Sequence, residues 1–239
     1  MSIKRINTIF FKDQKVGDLL SELNNPNPIQ SMTSTPKKLW EPSEAFKSDS
    51  NLQHYIDWLA ANKELCFENY DQLWDWSITD TRAFWKSIYE YFEIIDHSKP
   101  EYEHDDSVMP ETSWFQGSKI NYAEHVFRMA RSENNAIVFK QEGNEVTRIS
   151  WKELEHQVAA VRNYLQVHGV QKGDRVVAYI PNIPEAVIGF LAACSLGAVW
   201  SSCSPDFGAS SVVDRFKQIE PKVLITVDGY HYQGKAHDR

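Results

Sequence analysis

From residue 132 onward, short apolar runs alternate with longer stretches in which apolar positions recur every three or four residues. Ala136–Lys140 and Val146–Trp151 read as short strands around Glu142-Gly143-Asn144-Glu145, a hairpin signal. Ser150 and Glu153 form a capping box for a helix whose Trp151, Leu154, Val158, Val161 and Leu165 make one apolar stripe. Gly169 is placed to end it. Arg175–Ile180 follows as a strand, and a second helix opens at Asn182-Ile183-Pro184-Glu185 and closes near Gly197. Ala198–Cys203 is the next strand, Gly208–Ile219 the next helix, stopped by Pro221, and Val223–Val227 a further strand. Such continuously apolar strands are expected to be buried on both faces, in a parallel sheet covered by helices. The pattern is βαβαβ: an α/β fold with an incomplete doubly wound parallel sheet.

The preceding region, residues 36–131, is helical in pattern and rich in aromatics, with Trp40, Trp58, Trp74, Trp76 and Trp85 among them. Leu52, Ile56 and Leu59 are predicted to share one helical face, and Trp85, Ile88, Phe92 and Ile95 another. Asn121 and Glu124 start a short helix towards Ala130. Residues 1–35 are of another character, with Asn24-Asn25-Pro26-Asn27-Pro28 and Thr33-Ser34-Thr35-Pro36 as turn and linker chemistry. They read as a flexible extension with one short helix near Val16–Leu23, and Met32 as an alternative start. The expected organisation is an extension over 1–35, a helical region over 36–131 and the first part of a core over 132–239.

Charge and composition narrow the function classes. The chain of 239 residues carries 25 basic against 33 acidic side chains, a formal charge of −8, which argues against a generic affinity for nucleic acid or anionic membrane. Cys66, Cys194 and Cys203 have no paired spacing, against a disulfide framework or zinc knuckle and in keeping with a reducing cytoplasm. The longest apolar stretch, Ala186 to Trp200, is interrupted by Ser195 and Gly197 and falls short of the roughly 20 residues of a spanning helix. No metal site is expected. His97 and His104 lie among five acids between Asp96 and Asp106, which reads as a solvated acidic loop.

Two local patterns invite a stronger reading. Gly229-Tyr230-His231-Tyr232-Gln233-Gly234-Lys235 matches G-x-x-x-x-G-K after a strand, the outline of a phosphate-cradling loop. Ala236 stands where the magnesium-binding Ser/Thr belongs and bulky aromatics fill the loop, so the match is read as a decoy and a nucleotide hydrolase is set aside. Ser201-Ser202-Cys203-Ser204 offers nucleophiles at a strand end, without a G-x-S-x-G elbow or an assignable base. No catalytic residue is assigned in this chain.

Several segments resemble one family. Lys38-Leu39-Trp40-Glu41-Pro42-Ser43 is similar to the opening of acetoacetyl-CoA synthetases. Trp114-Phe115-Gln116-Gly117-Ser118-Lys119-Ile120-Asn121-Tyr122-Ala123-Glu124 resembles the W-F-x-G-x-x-L-N-Y-A-E segment of acyl-CoA synthetases. Gly173-Asp174-Arg175-Val176 and Pro181-Asn182-Ile183-Pro184-Glu185-Ala186 resemble their first βαβ unit, which acetyl- and propionyl-CoA synthetases share. Pro205-Asp206-Phe207-Gly208 stands where acetyl-CoA synthetases carry a G-G-F-S-type sequence, and the run Trp200-Ser201-Ser202-Cys203-Ser204-Pro205-Asp206-Phe207-Gly208, followed by Asp214-Arg215-Phe216, resembles the acetoacetate-specific branch. The resemblance implies an adenylate-forming ligase using ATP, Mg²⁺ and CoA, with acetoacetate as the acid. The family's phosphate loop, adenine-binding segment, ribose-binding aspartate and catalytic lysine have no counterpart here, and the resemblance places them beyond Arg239. It puts Asp206, Phe207 and Lys235 near CoA, with Lys235 as a phosphate contact. The expected function is the N-terminal part of an acetoacetate–CoA ligase, inactive alone, with self-association through an exposed sheet edge. The alternatives are a fragment of an acetyl- or propionyl-CoA synthetase, and a small CoA- or partner-binding regulatory module.

Overall fold

A computed structural model describes residues 38–105, 107–128, 130 and 133–238. The helix expected near Val16–Leu23, and Met32, lie outside the described residues. By contact density the chain falls into two compact units divided after His54. In the first, helix α1 (Glu44–Ser48) is capped by Ser43, whose Oγ accepts from the Phe46 amide. The Trp40 and Phe46 rings meet edge to face at 6.3 Å.

The second unit begins within helix α2 (Asn51–Lys63) and continues through α3 (Tyr70–Thr79) and α4 (Thr81–Tyr91). Tyr55, Leu59 and Leu73 form a buried cluster, joined by Ile56, Trp58, Phe67, Trp76, Phe84, Ile88 and Tyr91. The face expected of Leu52, Ile56 and Leu59 is therefore shifted: Tyr55 takes the buried place, and Leu52 is exposed. The stripe expected from Trp85 to Ile95 also breaks, because α4 ends at Tyr91. Trp85 and Phe92 are partly exposed, and Trp85 packs edge-on against Trp114 at 5.6 Å.

The acidic run after α4 is more ordered than a solvated loop. Residues 97–105 lie antiparallel to residues 113–119, with His97 N donating to Lys119 O, Glu101 N to Gln116 O and Phe115 N to Glu103 O. Asp96 anchors the pair. Its carboxylate accepts from Tyr89 Oη at 2.6 Å, Ser98 N at 2.8 Å and Lys119 N at 3.0 Å. Desolvation raises this acid, but the donors together outweigh it and hold the carboxyl at about 2. The two histidines part ways: His97 bonds Glu124, while His104 sits between Thr81 and the Asp105 carbonyl.

The core begins with a two-stranded antiparallel pair, β1 (Asn135–Phe139) and β2 (Thr147–Ser150). Ser150 caps helix α6 (Trp151–Val167) by accepting from Glu153 N. Leu154, Val158 and Leu165 of the expected stripe are buried, and Gly169, at φ 83°, ends the helix as expected. A parallel three-stranded sheet follows in the order β4 (Val199–Cys203), β3 (Arg175–Tyr179), β5 (Val223–Thr226). Helix α7 (Pro184–Ser195), opened by its first-turn proline, and helix α8 (Ala209–Lys217) connect them.

Alternation along β3 separates the two helical layers. Val176 belongs to the cluster built with α6 and α7, and Val177 to the cluster with Val212 and Phe216 of α8. Helices thus cover opposite faces of the central strand. Burial on both faces, expected of every strand, holds for β3; the flanking strands leave Val199 and Leu224 half exposed because each has a neighbour on one side. A Cβ added at Gly189 of α7 would meet the Trp200 ring at 3.1 Å and Ile225 at 3.2 Å, so glycine lets the helix approach the sheet.

Charged residues of the Gly173-Asp174-Arg175-Val176 segment brace the sheet. Arg175 donates to the carbonyls of Ile219 and Glu220, and Lys222 reaches Gly169 O and Asp174. The Lys222 hydrogen bond and the Gln171 amide lower the Asp174 carboxyl below its usual range. The chain beyond β5 holds a second antiparallel hairpin, β6 (Gly229–Tyr232) and β7 (Lys235–Asp238), which the sequence reading missed.

Candidate functional site at the carboxyl ends of the strands

The chain runs from β3 to β4 on one side and then to β5 on the other, so the strand order reverses beside β3. In open α/β sheets a crevice forms outside the carboxyl ends of the strands at such a point. A cleft of about 990 Å³ lies there, lined by Ile180, Pro181, Thr226, Asp228 and Tyr230 from the strand ends. Glu185 joins them from α7, and Arg148 and Glu153 from the β2–α6 corner. Its lining is mixed in charge and half apolar, which suits an elongated polar ligand better than a bare anion. A separate hollow of about 410 Å³ beside Trp85, Trp114 and Phe115 is almost wholly apolar, with little to orient a ligand.

Asp206 and Phe207 stand together in the turn from β4 to α8. Ser204 Oγ donates to Asp206 Oδ2 at 3.0 Å, and Phe207 N donates to Ser204 O at 3.1 Å. Both side chains are exposed, whereas Pro205 between Ser204 and Asp206 is buried. The Arg215 guanidinium lies 4.6 Å from the centre of the Phe207 ring, a cation–π contact. Tyr179 Oη donates to Phe207 O at 2.8 Å and also reaches Pro205 O at 3.2 Å. Sequence reasoning met Arg215 only within the Asp214-Arg215-Phe216 resemblance, with no role given to it, and did not single out Tyr179. The alternation along β3 was the available signal for Tyr179, since it puts that residue on the Val177 face at the strand's carboxyl end.

Lys235 stands apart from these two. It opens β7 opposite Tyr232, in a hairpin that follows β5, on the other side of β3 from the β4 turn. Gln233 and Gly234, at φ 51° and 72°, make the two-residue turn, which Gly234 N ties to Glu142 at 3.0 Å. The G-x-x-x-x-G-K match is thus a pair of strands, not an amide cradle opening a helix. Lys235 is neither in such a cradle nor in a frayed end.

The Ser201–Ser204 segment assembles no nucleophile with a base among the described residues. Cys203 is buried against Val177, Val212 and Phe216, and Ser204 is engaged with Asp206. Burial pushes the thiol of Cys194 upward, away from the reactive thiolate. Among the described residues no three His, Cys, Asp or Glu side chains group as metal ligands.

Residues 126–239 match the family model of the AMP-binding enzyme, and residues 70–126 that of the acetyl-coenzyme A synthetase N-terminus. Acetoacetyl-coenzyme A synthetase of Rhizobium meliloti (strain 1021) is 38% identical over 202 residues, 84% of this chain and 31% of that protein. Residues 70–239 are thus matched by these two family models in succession. Acetoacetyl-CoA synthetase of Macaca fascicularis is 37% identical over 209 residues, covering 83% of this chain and 30% of the relative. The solved structure of acetoacetyl-CoA synthetase from Streptomyces lividans superposes with a TM-score of 0.82 at 41% identity, over 85% of this chain and 32% of that one. The chain spans about a third of the length of the relatives it matches. Among its described residues no helix is long and apolar enough to cross a membrane.

Proposed function

We propose that this chain is the N-terminal part of an ATP-dependent acetoacetate–CoA ligase and does not turn over by itself. The observation that carries the reading is the similarity to acetoacetyl-CoA synthetases, which runs through the helical region as well as the sheet. The complete reaction joins acetoacetate to ATP·Mg²⁺ as an acyl-adenylate with release of pyrophosphate, and the thiol of CoA then displaces AMP. No residue of this chain is assigned to ATP or Mg²⁺, so neither half-reaction is routed through it. We place the chain in the cytoplasm, in keeping with three free cysteines.

Coenzyme A is the substrate that this chain's own residues fit. Asp206, Phe207 and Lys235 are the proposed contacts. The turn offers an exposed ring and a carboxylate acceptor at a strand's carboxyl end, and Lys235 an exposed cation for a phosphate. The half-exposed Val199 and Leu224 on the two outer strands give the sheet apolar edges, and we propose that a second copy pairs there.

The test incubates the chain with acetoacetate, ATP, Mg²⁺ and CoA, with CoA titrated in parallel by calorimetry and the same sample examined by light scattering. Absent turnover with measurable CoA binding, and dimers at high concentration, are expected. Turnover by the chain alone would overturn the fragment reading, and absent CoA binding would remove the CoA contacts.

A further inference from the structure

Tyr179 is the last residue of β3, on the face that α8 covers, and its ring packs against the cluster of Val177, Cys203, Val212 and Phe216. That packing fixes where its hydroxyl points. The hydroxyl meets Phe207 O at 2.8 Å and Pro205 O at 3.2 Å, the two carbonyls that flank Asp206. The turn is closed from within by the Phe207 amide on Ser204 O. It is held from the helix side by Arg215 over the Phe207 ring. One buried-rooted tyrosine therefore ties both ends of the peptide that carries Asp206.

We propose that Tyr179 is a positioning residue for coenzyme A: it holds the β4–α8 turn in the shape that presents the Asp206 carboxylate and the Phe207 ring. The inference rests on the reading that this turn contacts CoA. A connecting turn that had to order on binding would lose affinity to the entropy of ordering, and a turn already fixed does not. Tyr179 acts through the turn's carbonyls, so its effect falls on CoA and on the turn's own amide.

Tyr179→Phe removes one oxygen and keeps the ring. It is measured beside wild type, Phe207→Ala and, as a control for general loss of stability, Tyr55→Phe. Two readouts are taken on each chain: CoA affinity by calorimetry and hydrogen exchange at the Phe207 amide. Tyr179→Phe is expected to weaken CoA by about fivefold, the worth of one net hydrogen bond, and to speed exchange at Phe207. Tyr55→Phe is expected to change neither. Unchanged CoA affinity in Tyr179→Phe, with weakened affinity in Phe207→Ala, would overturn the inference and leave the CoA reading standing. Equal weakening in Tyr55→Phe would overturn it as a general stability effect. A wild-type chain that does not bind CoA would remove the reading and the inference together.

Discussion

Asn121 joins two helices at once, and replacing it separates the two jobs. Its Oδ1 caps α5 (Tyr122–Phe127), accepting from Ala123 N at 3.0 Å and Glu124 N at 3.3 Å. Its Nδ2 donates to the last carbonyls of α7, Cys194 O at 3.2 Å and Ser195 O at 3.4 Å. An N-cap lost to alanine costs about 1 kcal/mol. The hydrogen bond to Cys194 O contributes about 1 kcal/mol net, and the longer one little more. Asn121→Ala should therefore destabilise the chain by about 2 kcal/mol. Asn121→Asp keeps the cap and loses the donors. Its charge gains at the N terminus of α5 about what it loses facing the carbonyl end of α7, so about 1 kcal/mol is expected. Urea titration followed by tryptophan fluorescence reads both variants, with exchange at the Ala123 and Glu124 amides as the local probe. The alanine variant should speed that exchange and the aspartate variant should not. A stability of Asn121→Asp equal to wild type would refute the argument, because the donors to α7 would then contribute nothing.

The same physics predicts an asymmetry at Ser87, which is buried, donates to Phe84 O at 2.7 Å and meets Tyr55 Oη at 2.5 Å. Ser87→Ala strands the phenolic donor of Tyr55 and should cost about 2 kcal/mol, whereas Tyr55→Phe leaves the serine donor satisfied and should cost about 1 kcal/mol; equal midpoints in urea would count against it. Asp96 titrates at about 2 against an ordinary 3.8, so its contribution is complete above pH 4 and lost as pH falls from about 4 to about 2. Asp96→Asn should flatten the stability profile in that window, and an unchanged acid slope in denaturant midpoints would refute the assignment. Hydrogen bonding to Glu124 raises His97, so that pair stabilises below the usual histidine value of 6.5 and is lost as pH rises through the raised one. Removing Glu124 should lower the histidine's titration point by NMR.

The sequence carried the core elements because each was specified twice, by periodicity and by its punctuation. Helix α6 had its stripe, its Ser150 cap and its Gly169 stop, and all three operate in the fold. What failed was specified once or by pairing at a distance. The Leu52 face rested on periodicity alone in a helix with aromatics on several sides, and a neighbouring tyrosine proved the better-buried residue. The acidic run looked solvated because its order comes from residues well downstream, Lys119 with Asp96 and Gln116 with Glu101. The final hairpin was hidden behind a phosphate-loop pattern whose glycine serves a two-residue turn instead.

The geometry of the candidate turn was legible to the same extent and for the same reason. Asp206 and Phe207 lie in a turn whose position follows from strand and helix boundaries, so naming them required local reading and the family resemblance. Tyr179 and Arg215 act on that turn from elements 28 and 8 residues away in sequence, counting from Phe207. Alternation along β3 signals the face of Tyr179, and Arg215 falls in a family-like segment, but neither signal marks a contact with the turn, since a tyrosine closing a strand and an arginine on a helix are ordinary in both places. It is the parallel register, Tyr179 beside Cys203, that carries the hydroxyl to the start of the next strand's exit. A long-range contact of this kind becomes visible once strand order is known, and strand order is what a single sequence specifies least. The residues that shape a site at a sheet's carboxyl edge are therefore to be sought on the neighbouring strand's last inward position, before the loop itself is searched for charged groups.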